Sequence, residues 1–520
     1  MLSAKNTPRI LAFLVLLTAF VWLYRDPFFA ANLEPVPDAT EYAVSAQHIA
    51  LWGKFEIVIN GHPHPPRYAP WFPLLLLSPV YLLMPNNLGA GIFSVLLCAL
   101  VSVYLAYLLG RRLGGEAGGV LTALLLLSSL SFLHAARAIM SDVPTLMCGL
   151  LAALLFVKFK AVERTKDLFL VSVVCGVGFA LRNLYAALLL PFLYSALRQS
   201  PKSLKKPAIL SLGTLLFFFA TALFNQRTFG EWRRNGYHYW CAIPYDYLSL
   251  TFSPRFLIKN LMSFLSPEGI LLLTVGATGL LLLRKNSHPE TSSLLLFAGL
   301  AALPITFVHL FYFAIDLRFH LLLLALLAIL GGGGIGRELE KRVPKLARFE
   351  ALTLLLVLVM VAMPIVRQPE PVGRYVIVSA IAQALPLNAV LITDTDSVYL
   401  EPFLLRGTQR EVLPLTRHAE YASKVIVRKR VPLLDPPPTS SVEHRAPALL
   451  RAGAEEALLH TASDLDTITA KMREGKPIYL DINTAPPSST EILALRTHFR
   501  IERMENGLLA KLEPLTRAQF

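Results

Sequence analysis

A series of long apolar segments, separated by short polar loops, limits what this chain can fold into more than any other feature. An α-helix needs about 20 apolar residues to cross a hydrocarbon core of roughly 30 Å. Only 16% of the 520 residues are charged, whereas soluble domains carry about 25%. The chain is therefore predicted to be a multi-pass α-helical membrane protein with about eleven spans. They are predicted at residues 9–24, 88–109, 117–134, 143–157, 167–182, 184–197, 207–224, 263–283, 291–313, 319–336 and 349–366.

Lys and Arg residues occupy every second loop between the predicted spans. Arg111 and Arg112 follow the second span, for example, and Arg284 and Lys285 follow the eighth. Basic loops stay on the cytoplasmic side of a membrane, so the N-terminus is predicted to be cytoplasmic and the end of the chain extracytoplasmic. The membrane is predicted to be the inner, cytoplasmic membrane of the cell. Because the formal net charge of +14 is spread over these loops, no nucleic-acid partner is predicted.

The composition changes near residue 368, which predicts two domains. Residues 1–367 are predicted to form a membrane domain, whose first external loop spans residues 25–87 and contains juxtamembrane helices. One of these, at residues 71–84, is interrupted by prolines and is predicted to be interfacial or re-entrant. Residues 368–520 are charged and rich in proline, and β-like runs alternate there with helical patterns, as in a small extracytoplasmic α/β domain. The β-like runs are residues 390–393, 424–427 and 477–482, and the helical patterns are residues 464–475 and 490–500.

The segment PDATEYAVSAQHIA, residues 37–50, is predicted to form a short amphipathic helix after the first span. Its two carboxylates share one helix face with other polar residues, and its apolar face suits the surface of a membrane. An acidic pair in a loop is also common as a helix cap with solvated charges, so a functional and a structural interpretation both stand. The polar face comprises Asp38, Glu41, Tyr42 and Ser45, and the apolar face comprises Val44, Leu51 and Phe55.

Further polar groups are predicted on the external side of the membrane. Arg182 lies between two short spans of about 15 residues, or roughly 22 Å, so it should lie below the outer surface. A buried cation is costly there unless it meets an anion. Guanidinium groups bind phosphate oxygens in bidentate fashion, and a nearby carboxylate suits a base that deprotonates a hydroxyl group. The polar residues in question are His64, Arg67, Tyr68, Arg137, Asp142, Arg182, Asp316 and Arg318.

Structural interpretations of these residues also stand. The histidines of the HPH segment, residues 62–64, suit interfacial packing better than metal binding. Asp142 precedes Pro144 and fits an ordinary helix start. Asp316 and Arg318 fit a helix end where a long cationic side chain reaches the membrane surface.

Five segments in order resemble the GT-C glycosyltransferases that use polyprenyl-phosphate sugars, in particular bacterial relatives of the protein mannosyltransferases and of the aminoarabinose transferase. The resemblance covers roughly residues 10–340. Three departures are present: Ala39 follows Asp38 where many relatives have Glu, His64 replaces a Lys of the lipid A enzymes, and the late RFH segment lacks the usual Tyr and Pro. The segments are PDATEYAVSAQHIA, HPPRYAPWFPLLL, ARAIMSDVPT, GVGFALRNLYAALLLP and DLRFHLLLLAL.

The resemblance implies an enzyme that moves a hexosyl or pentosyl group from a polyprenyl-phosphate donor to a hydroxyl group of an extracytoplasmic glycolipid, glycan or protein, with inversion. It implies that Asp38 is the catalytic base, acting directly or through a divalent metal such as Mg or Mn. Glu34, before the helix, is then a solvated residue. Further catalytic candidates are Glu41 and Asp142, the donor phosphate would meet Arg67, Arg137, Arg182 and Arg318, and the substrates would contact Tyr42, His64 and Tyr68.

Two other functions fit parts of the pattern. A multi-pass transporter or flippase of a lipid-linked or anionic substrate would also place charges within spans, although no internal repeat is visible. A non-catalytic partner in an envelope-glycan complex is the third alternative. Asp394 and Asp396 match the DxD pattern of other glycosyltransferases, but two acids in a loop after a strand are commonplace, so a structural or acceptor-contacting role is predicted for them.

Overall fold

The computed structural model describes most of the chain, and its described residues form two compact units. The first lies within Ala69–Arg233 and Phe252–Pro369, and the second within Leu33–Tyr68, Arg234–Thr251 and Glu370–Phe520. Predictions for Glu34, Asp394, Asp396 and residues 9–24, 349–366 and 424–427 lie outside the described residues. The described residues are 37–159, 165–199, 204–240, 251–285, 289–342, 374–393, 395, 397–414, 465–483 and 490–515.

The first unit is built from apolar helices, which confirms the predicted membrane fold. Five described helical segments are long and apolar enough to cross a membrane: Leu88–Leu127, Lys205–Phe229, Pro267–Lys285, Glu290–Leu310 and Leu317–Arg342. The α-helices of this unit are Ser78–Leu83, Ile92–Leu127, Leu130–Ala136, Asp142–Phe159, Thr165–Leu181, Leu190–Gln199, Lys205–Phe229, Arg255–Ser263, Pro267–Lys285, Pro289–Phe297, Leu303–Leu310 and Leu321–Arg342. Shorter 3₁₀ or π turns are Pro73–Leu77, Leu88–Gly91, Asn183–Leu189, Ala298–Ala302 and Leu317–His320.

The helical run Ile92–Leu127 is two antiparallel helices, as the predicted spans at 88–109 and 117–134 require. The backbone leaves helical geometry at Gly114 and Gly115, where Gly115 has a φ of 65° and a ψ of −160°. Residues 107 and 119 would be about 18 Å apart on a straight helix, yet a Cβ on Gly119 would lie 2.7 Å from the Tyr107 ring. The chain therefore reverses at this glycine pair.

The predicted end of the second of these spans, at residue 134, is wrong. The helix ends at Leu127, and Ser129 has an extended backbone and accepts a hydrogen bond from the Phe132 N–H with its side chain. A Ser in that position caps a new helix by satisfying a free backbone donor. The residues that follow therefore form the separate helix Leu130–Ala136.

Glycines allow the helices of this unit to lie backbone to backbone. A Cβ on Gly336 would lie 2.2 Å from the backbone nitrogen of Gly118, whereas nothing lies within 4 Å of a Cβ on Gly299. Backbone atoms cannot move aside as the end of a flexible side chain can. The helices at this contact would have to separate to admit any side chain.

The substitution Gly336→Ala is therefore expected to destabilise the protein, by about 3 kcal/mol, because one added methyl group overpacks the contact. Gly299→Ala is the matched control and is expected to be neutral or slightly stabilising, because Ala favours helices over Gly by about 0.5 to 1 kcal/mol. The apparent midpoint of thermal unfolding in detergent and the yield of monodisperse protein measure both effects. Equal midpoints for the two variants would contradict the close helix contact.

The second unit begins with helix α1 (Pro37–Trp52), followed by a hairpin of strands β1 (Ile57–Ile59) and β2 (His62–His64). The turn between them is Asn60-Gly61, and both residues have positive φ, as a tight two-residue hairpin turn requires. The prediction that α1 lies on a membrane surface is wrong for its central residues. Val44 is only 1% exposed, because α1 packs against the helix Ser397–Leu400 of the same unit.

A five-stranded sheet forms the C-terminal part of this unit. Its strands are β3 (Val390–Thr393), β4 (Glu411–Pro414), β5 (Ile478–Asp481), β6 (Phe499–Arg503) and β7 (Leu509–Pro514), in the order β4-β3-β5-β7-β6. Strand β3 runs parallel to β4 and β5, and β7 runs antiparallel to β5 and β6. The strands predicted at 390–393 and 477–482 are thereby confirmed.

Helices cover the two faces of this sheet. Because side chains alternate along a strand, Leu391 and Tyr479 pack on one face with Ile381, whereas Val390 and Ile478 pack on the other. The helices are Arg374–Ala384, residues 465–473 and Thr490–His498. The α/β pattern predicted for residues 464–475 and 490–500 is therefore present, with slightly shorter helices.

Candidate functional site

The first turn of α1 carries two carboxylates that lie beside Arg67. The Arg67 Nε donates to the Glu41 carboxylate over 2.5 Å, and the Arg67 backbone N–H donates to the same group. The Arg67 Nη2 lies 3.7 Å from the Asp38 Oδ1. The Glu41 side chain is 1% exposed and that of Asp38 is 21% exposed. Glu41 is thus an internal partner of Arg67, and Asp38 is the carboxylate that a substrate could reach.

The environment of Glu41 differs from that of a solvated acid. Burial raises the pKa of the Glu41 carboxyl group, and the charge and hydrogen bonds of Arg67 oppose that rise. Ser45, which shares its face of α1, donates its hydroxyl hydrogen to the Glu41 backbone carbonyl over 2.6 Å. The predicted shared face of α1 is present. Its residues Glu41, Tyr42 and Ser45 point into the protein and not to solvent.

Three tyrosines form an aromatic group next to these carboxylates. The rings of Tyr42 and Tyr68 stack with centroids 4.3 Å apart, and the Tyr237 ring lies edge-on to Tyr68 at 5.2 Å. Burial, and then the nearby Tyr237 and Asp38, raise the pKa of Tyr68 well above its ordinary value. Tyr68 is therefore a neutral phenol at physiological pH and can donate a hydrogen bond but not act as a base.

Sequence analysis missed Tyr237, which lies far from the first loop in the chain. The only local signal was a glycine followed by aromatic residues at positions 236–240. A Cβ on Gly236 would lie 2.0 Å from the Pro66 carbonyl oxygen, so only glycine allows this segment to contact the backbone before Arg67. That contact is what brings Tyr237 to Tyr68.

His64 belongs to strand β2 of the hairpin, where it pairs with Ile57. Burial, together with the adjacent His62, lowers the pKa of His64, so its imidazole is neutral near pH 7. It stands three residues before Arg67 on the segment that leads from the hairpin to the carboxylates.

The membrane unit contains a second polar group, built on Asp142 and Arg182. Asp142 begins the helix Asp142–Phe159, and Arg182 directly follows the helix Thr165–Leu181. The Arg182 Nη2 lies 2.7 Å from the Asp142 Oδ1, and the Asp142 side chain is 1% exposed. The Arg182 Nε also donates to the Ser141 hydroxyl over 3.4 Å. Arg182 therefore meets an anion inside the protein, as its burial requires.

Phe319 brings Arg318 into the same group. The guanidinium carbons of Arg182 and Arg318 lie 5.4 and 5.1 Å from the centroid of the Phe319 ring, within the range of cation–π attraction. The His309 ring stacks on Phe319 at 5.0 Å. Arg318 also pairs with Asp316, at 3.2 Å from its Nε to the carboxylate. Arg182 and Arg318 therefore each pair with a carboxylate, that of Asp142 and that of Asp316.

Arg137 and His320 are two further polar residues of the membrane unit. Arg137, predicted to bind phosphate, caps the C-terminal end of the helix Leu130–Ala136 and is partly buried. His320 is buried beside Phe264, with ring centroids 4.8 Å apart, and its two ring nitrogens have no hydrogen-bond partner among the described residues. Sequence analysis missed His309, Phe319 and His320, because aromatic residues in an apolar run look like ordinary core.

The predicted site residues are thus distributed over both compact units. Asp38, Glu41, Tyr42, Arg67 and Tyr68 come together in one unit. Asp142, Arg182 and Arg318 come together in the other.

A divalent metal bound through Asp38 does not fit the described residues. Among them, no group of three or more His, Cys, Asp and Glu side chains is placed to hold an ion. Asp38 and Glu41 instead share the guanidinium group of Arg67, whose positive charge opposes a metal ion at the same carboxylates.

Comparisons with known proteins agree with this architecture. Residues 64–224 match the family described as dolichyl-phosphate-mannose-protein mannosyltransferase. No curated protein sequence matches the chain. Two crystal structures of ArnT from Cupriavidus metallidurans, one bound to undecaprenyl phosphate and one in the apo state, are similar to it at 14% sequence identity. The TM-scores are 0.60 and 0.59, and the matches cover 99% and 98% of this chain and the same shares of the ArnT chains.

An archaeal structure is also similar to the chain, with a lower TM-score and a lower sequence identity. The oligosaccharyltransferase of Archaeoglobus fulgidus, tethered with an acceptor peptide, matches with a TM-score of 0.52 at 11% identity, covering 99% of this chain and 74% of its own. Identities this low demonstrate the fold alone. The chain therefore has the fold of these ArnT and oligosaccharyltransferase structures, and its residues 64–224 match the family described as dolichyl-phosphate-mannose-protein mannosyltransferase.

Proposed function

We propose that this protein is an integral membrane glycosyltransferase that moves a sugar from a polyprenyl phosphate to a hydroxyl group of an acceptor. The observation that carries this proposal is the match over 99% of the chain to ArnT, whose structure was solved with undecaprenyl phosphate. The open carboxylate of Asp38 at the start of α1 supports it, because transfer to a hydroxyl group needs a base. The acceptor is a glycolipid, glycan or protein.

In this mechanism Asp38 accepts the proton of the acceptor hydroxyl group. The freed oxygen attacks the anomeric carbon of the donor sugar, and the bond from that carbon to the phosphate oxygen breaks. Polyprenyl phosphate leaves with the bonding electrons. Because the attacking and leaving groups are on opposite sides of the carbon, the anomeric configuration inverts.

The arginines of the membrane unit are proposed to bind the donor phosphate. Arg182 and Arg318, which both contact Phe319, would take the developing charge, with Arg137 as a further donor. Preorganised donors of this kind are each worth about 3 kcal/mol of transition-state stabilisation. We assign Arg67 to the carboxylates of α1 instead, because Glu41 and Asp38 already engage its guanidinium group. Asp142 then positions Arg182.

The aromatic and imidazole groups of the second unit are proposed to contact the substrates. The Tyr68 phenol, whose ring stacks on that of Tyr42 in α1, can donate a hydrogen bond to a sugar or acceptor hydroxyl group. Tyr42 supplies an apolar ring surface next to it. His64 supplies a neutral imidazole on the segment that leads from the hairpin to Arg67.

The proposed location is the inner membrane, with the N-terminus in the cytoplasm. The apolar helices of the membrane unit and the basic loops between them support this orientation. Residues 1–367 would then form the membrane domain, and residues 368–520 would form a domain on the extracytoplasmic side, where acceptors of envelope glycans are found.

A transfer assay tests this function. Purified protein is incubated with radiolabelled undecaprenyl-phosphate mannose or undecaprenyl-phosphate arabinose, as one hexosyl and one pentosyl probe, and with membranes from a deletion strain as the acceptor source. Label is expected to move from one probe into an acceptor, with an equal amount of undecaprenyl phosphate released. Mass spectrometry of envelope glycans from the deletion strain then identifies the missing sugar.

The same assay separates the alternative functions. A transporter or flippase would move the intact probe across a liposome bilayer and leave its glycosidic bond unbroken. A non-catalytic partner would neither transfer the label nor move the probe. Either result with both probes, together with unchanged envelope glycans in the deletion strain, would contradict the proposal.

A further inference from the structure

Glu401 is a buried carboxylate of the C-terminal part of the chain that contacts the first loop. Its Oε1 lies 2.6 Å from the His48 Nε2, near the C-terminal end of α1. Its Oε2 accepts a hydrogen bond from the backbone N–H of Val58 in strand β1, over 2.7 Å. One carboxylate thus connects α1 to the hairpin across more than 340 positions of sequence.

Arg406 strengthens this connection. Its Nη2 donates to the Glu401 Oε1 over 3.0 Å, and its Nη1 donates to the Gln47 side-chain oxygen over 2.7 Å. Burial by itself would raise the pKa of Glu401, but the bonds from His48, Val58 and Arg406 outweigh it and hold the pKa below its usual value. Glu401 is therefore ionised at neutral pH, and every bond to it is charge-assisted.

His48 binds Glu401 through one ring nitrogen, its Nε2. His48 is fully buried, and its Nδ1 has no hydrogen-bond partner among the described residues. The contact with Glu401 is therefore the polar contact that orients the imidazole ring.

The contacts of Glu401 join two parts of one chain segment, which begins at Asp38 and ends at Arg67 in the candidate catalytic group. From His48, α1 runs back ten residues, about 15 Å, to Asp38. From Val58, the hairpin returns the chain to Arg67, which binds Glu41 and lies 3.7 Å from Asp38. Glu401 joins the middle parts of this segment, and the Arg67–Glu41 pair joins its two ends. A second bridge, between the Asn60 side chain and the Val412 backbone, fixes the hairpin turn through two hydrogen bonds.

We propose that Glu401 is a positioning residue for Asp38: by binding His48 and the Val58 N–H together, it fixes the spacing of α1 and strand β1 and so places Asp38 against Arg67. The role of Glu401 in catalysis is then mechanical, since its carboxylate binds His48, Val58 and Arg406 and takes no part in the transfer itself. This inference rests on the proposed function for its kinetic consequence but not for its structural one.

The substitution Glu401→Gln tests it, because Gln keeps the shape and removes the charge that binds His48 and Arg406. We expect kcat for the undecaprenyl-phosphate probe to fall about 10- to 100-fold, as small misplacements of a catalytic group do, while the KM for the probe stays within about twofold. Hydrogen–deuterium exchange of the full-length protein should rise in residues 37–52 and 57–64. Strands β3, β5 and β7 should keep their protection, which distinguishes local release from unfolding.

Glu411→Gln is the matched control. Glu411 is a carboxylate of strand β4 in the same compact unit as Glu401, but it pairs with Lys471 at 2.9 Å and with Lys476. The charge change is the same, and we expect unchanged kcat and unchanged exchange in α1. A fall in kcat for this variant equal to that of Glu401→Gln would overturn the inference.

His48→Gln supplies a second variant and a double-mutant cycle. If His48 and Glu401 act as one unit, the double variant should lose no more activity than Glu401→Gln alone. Additive losses, or a raised KM with unchanged kcat, would overturn the inference. Wild-type transfer with unchanged kcat and exchange in Glu401→Gln would overturn it and leave the proposed function intact. If the wild-type protein shows no transfer, the proposed function is contradicted. Hydrogen–deuterium exchange of α1 in Glu401→Gln would then still decide whether Glu401 holds the helix.

Discussion

The substitution Asp38→Asn is expected to lower kcat for sugar transfer by about 10²- to 10⁴-fold, the range that a general base contributes. Asn has nearly the same shape and still satisfies backbone donors at a helix start, so the fold should persist. The donor does not depend on the base for binding, so its affinity should change little. Turnover of the labelled probe and equilibrium binding of the same probe measure the two quantities separately.

Glu41→Gln is the informative comparison for Asp38→Asn, because both remove one carboxylate charge from the same turn of α1. Glu41 is buried and bound by the Arg67 backbone and side chain, so its loss should act on stability first, by leaving the arginine partly unpaired. Asp38 is partly exposed, so its substitution should lower turnover and leave the stability of the protein unchanged. A wild-type rate for Asp38→Asn would contradict its assignment as the base.

The substitution Arg182→Gln is expected to abolish transfer and also to destabilise the protein by about 3 to 5 kcal/mol, because it leaves a buried carboxylate without its partner. That carboxylate is Asp142, which lies 2.7 Å from the Arg182 Nη2. The double variant Asp142→Asn/Arg182→Gln removes both charges and should regain most of the stability. It should not regain transfer, because the guanidinium group proposed to bind phosphate is still absent.

The measurements are the apparent unfolding midpoint in detergent, turnover of the probe and binding of undecaprenyl phosphate. Arg112→Gln is the control, since Arg112 forms an ion pair with Glu290 at 3.0 Å that is partly exposed and should be worth about 1 kcal/mol or less. If the double variant recovers both stability and transfer, Asp142 and Arg182 stabilise the protein but do not bind the donor. If it recovers stability but does not bind undecaprenyl phosphate, the assignment of Arg182 to the donor phosphate is supported.

Several features of the fold follow directly from local patterns in the sequence. Apart from the end of the span predicted at 117–134, the described membrane helices lie close to their predicted places, because apolar length and composition decide whether a helix is stable in a bilayer. The strands at 390–393 and 477–482 were also predicted, since β-branched runs act over a few residues. The error at residues 128–134 arose because Ser129 caps a helix within an otherwise continuous apolar stretch.

The sequence also indicated which residues to consider, but not which of them are paired. It placed Asp38 and Glu41 on one helix face, and nothing local distinguishes one carboxylate from the other. Their difference comes from Arg67, which follows a hairpin that brings it back to α1. The prediction that Val44 lies on the membrane surface was wrong because distant residues cover it. The helix that packs on α1, Ser397–Leu400, lies more than 340 positions further along the chain.

By itself, then, the sequence determined the membrane class, the order of the helices, the resemblance to GT-C enzymes and the set of candidate carboxylates and arginines. These depend on hydrophobic length, turn residues and short motifs, which act within one segment. Only the tertiary structure decided that Asp38 is partly exposed while Glu41 and Asp142 are buried, that Phe319 contacts both Arg182 and Arg318, and that Glu401 contacts His48 of α1. Those contacts join distant segments, and their energies depend on burial and on distances that no local pattern encodes.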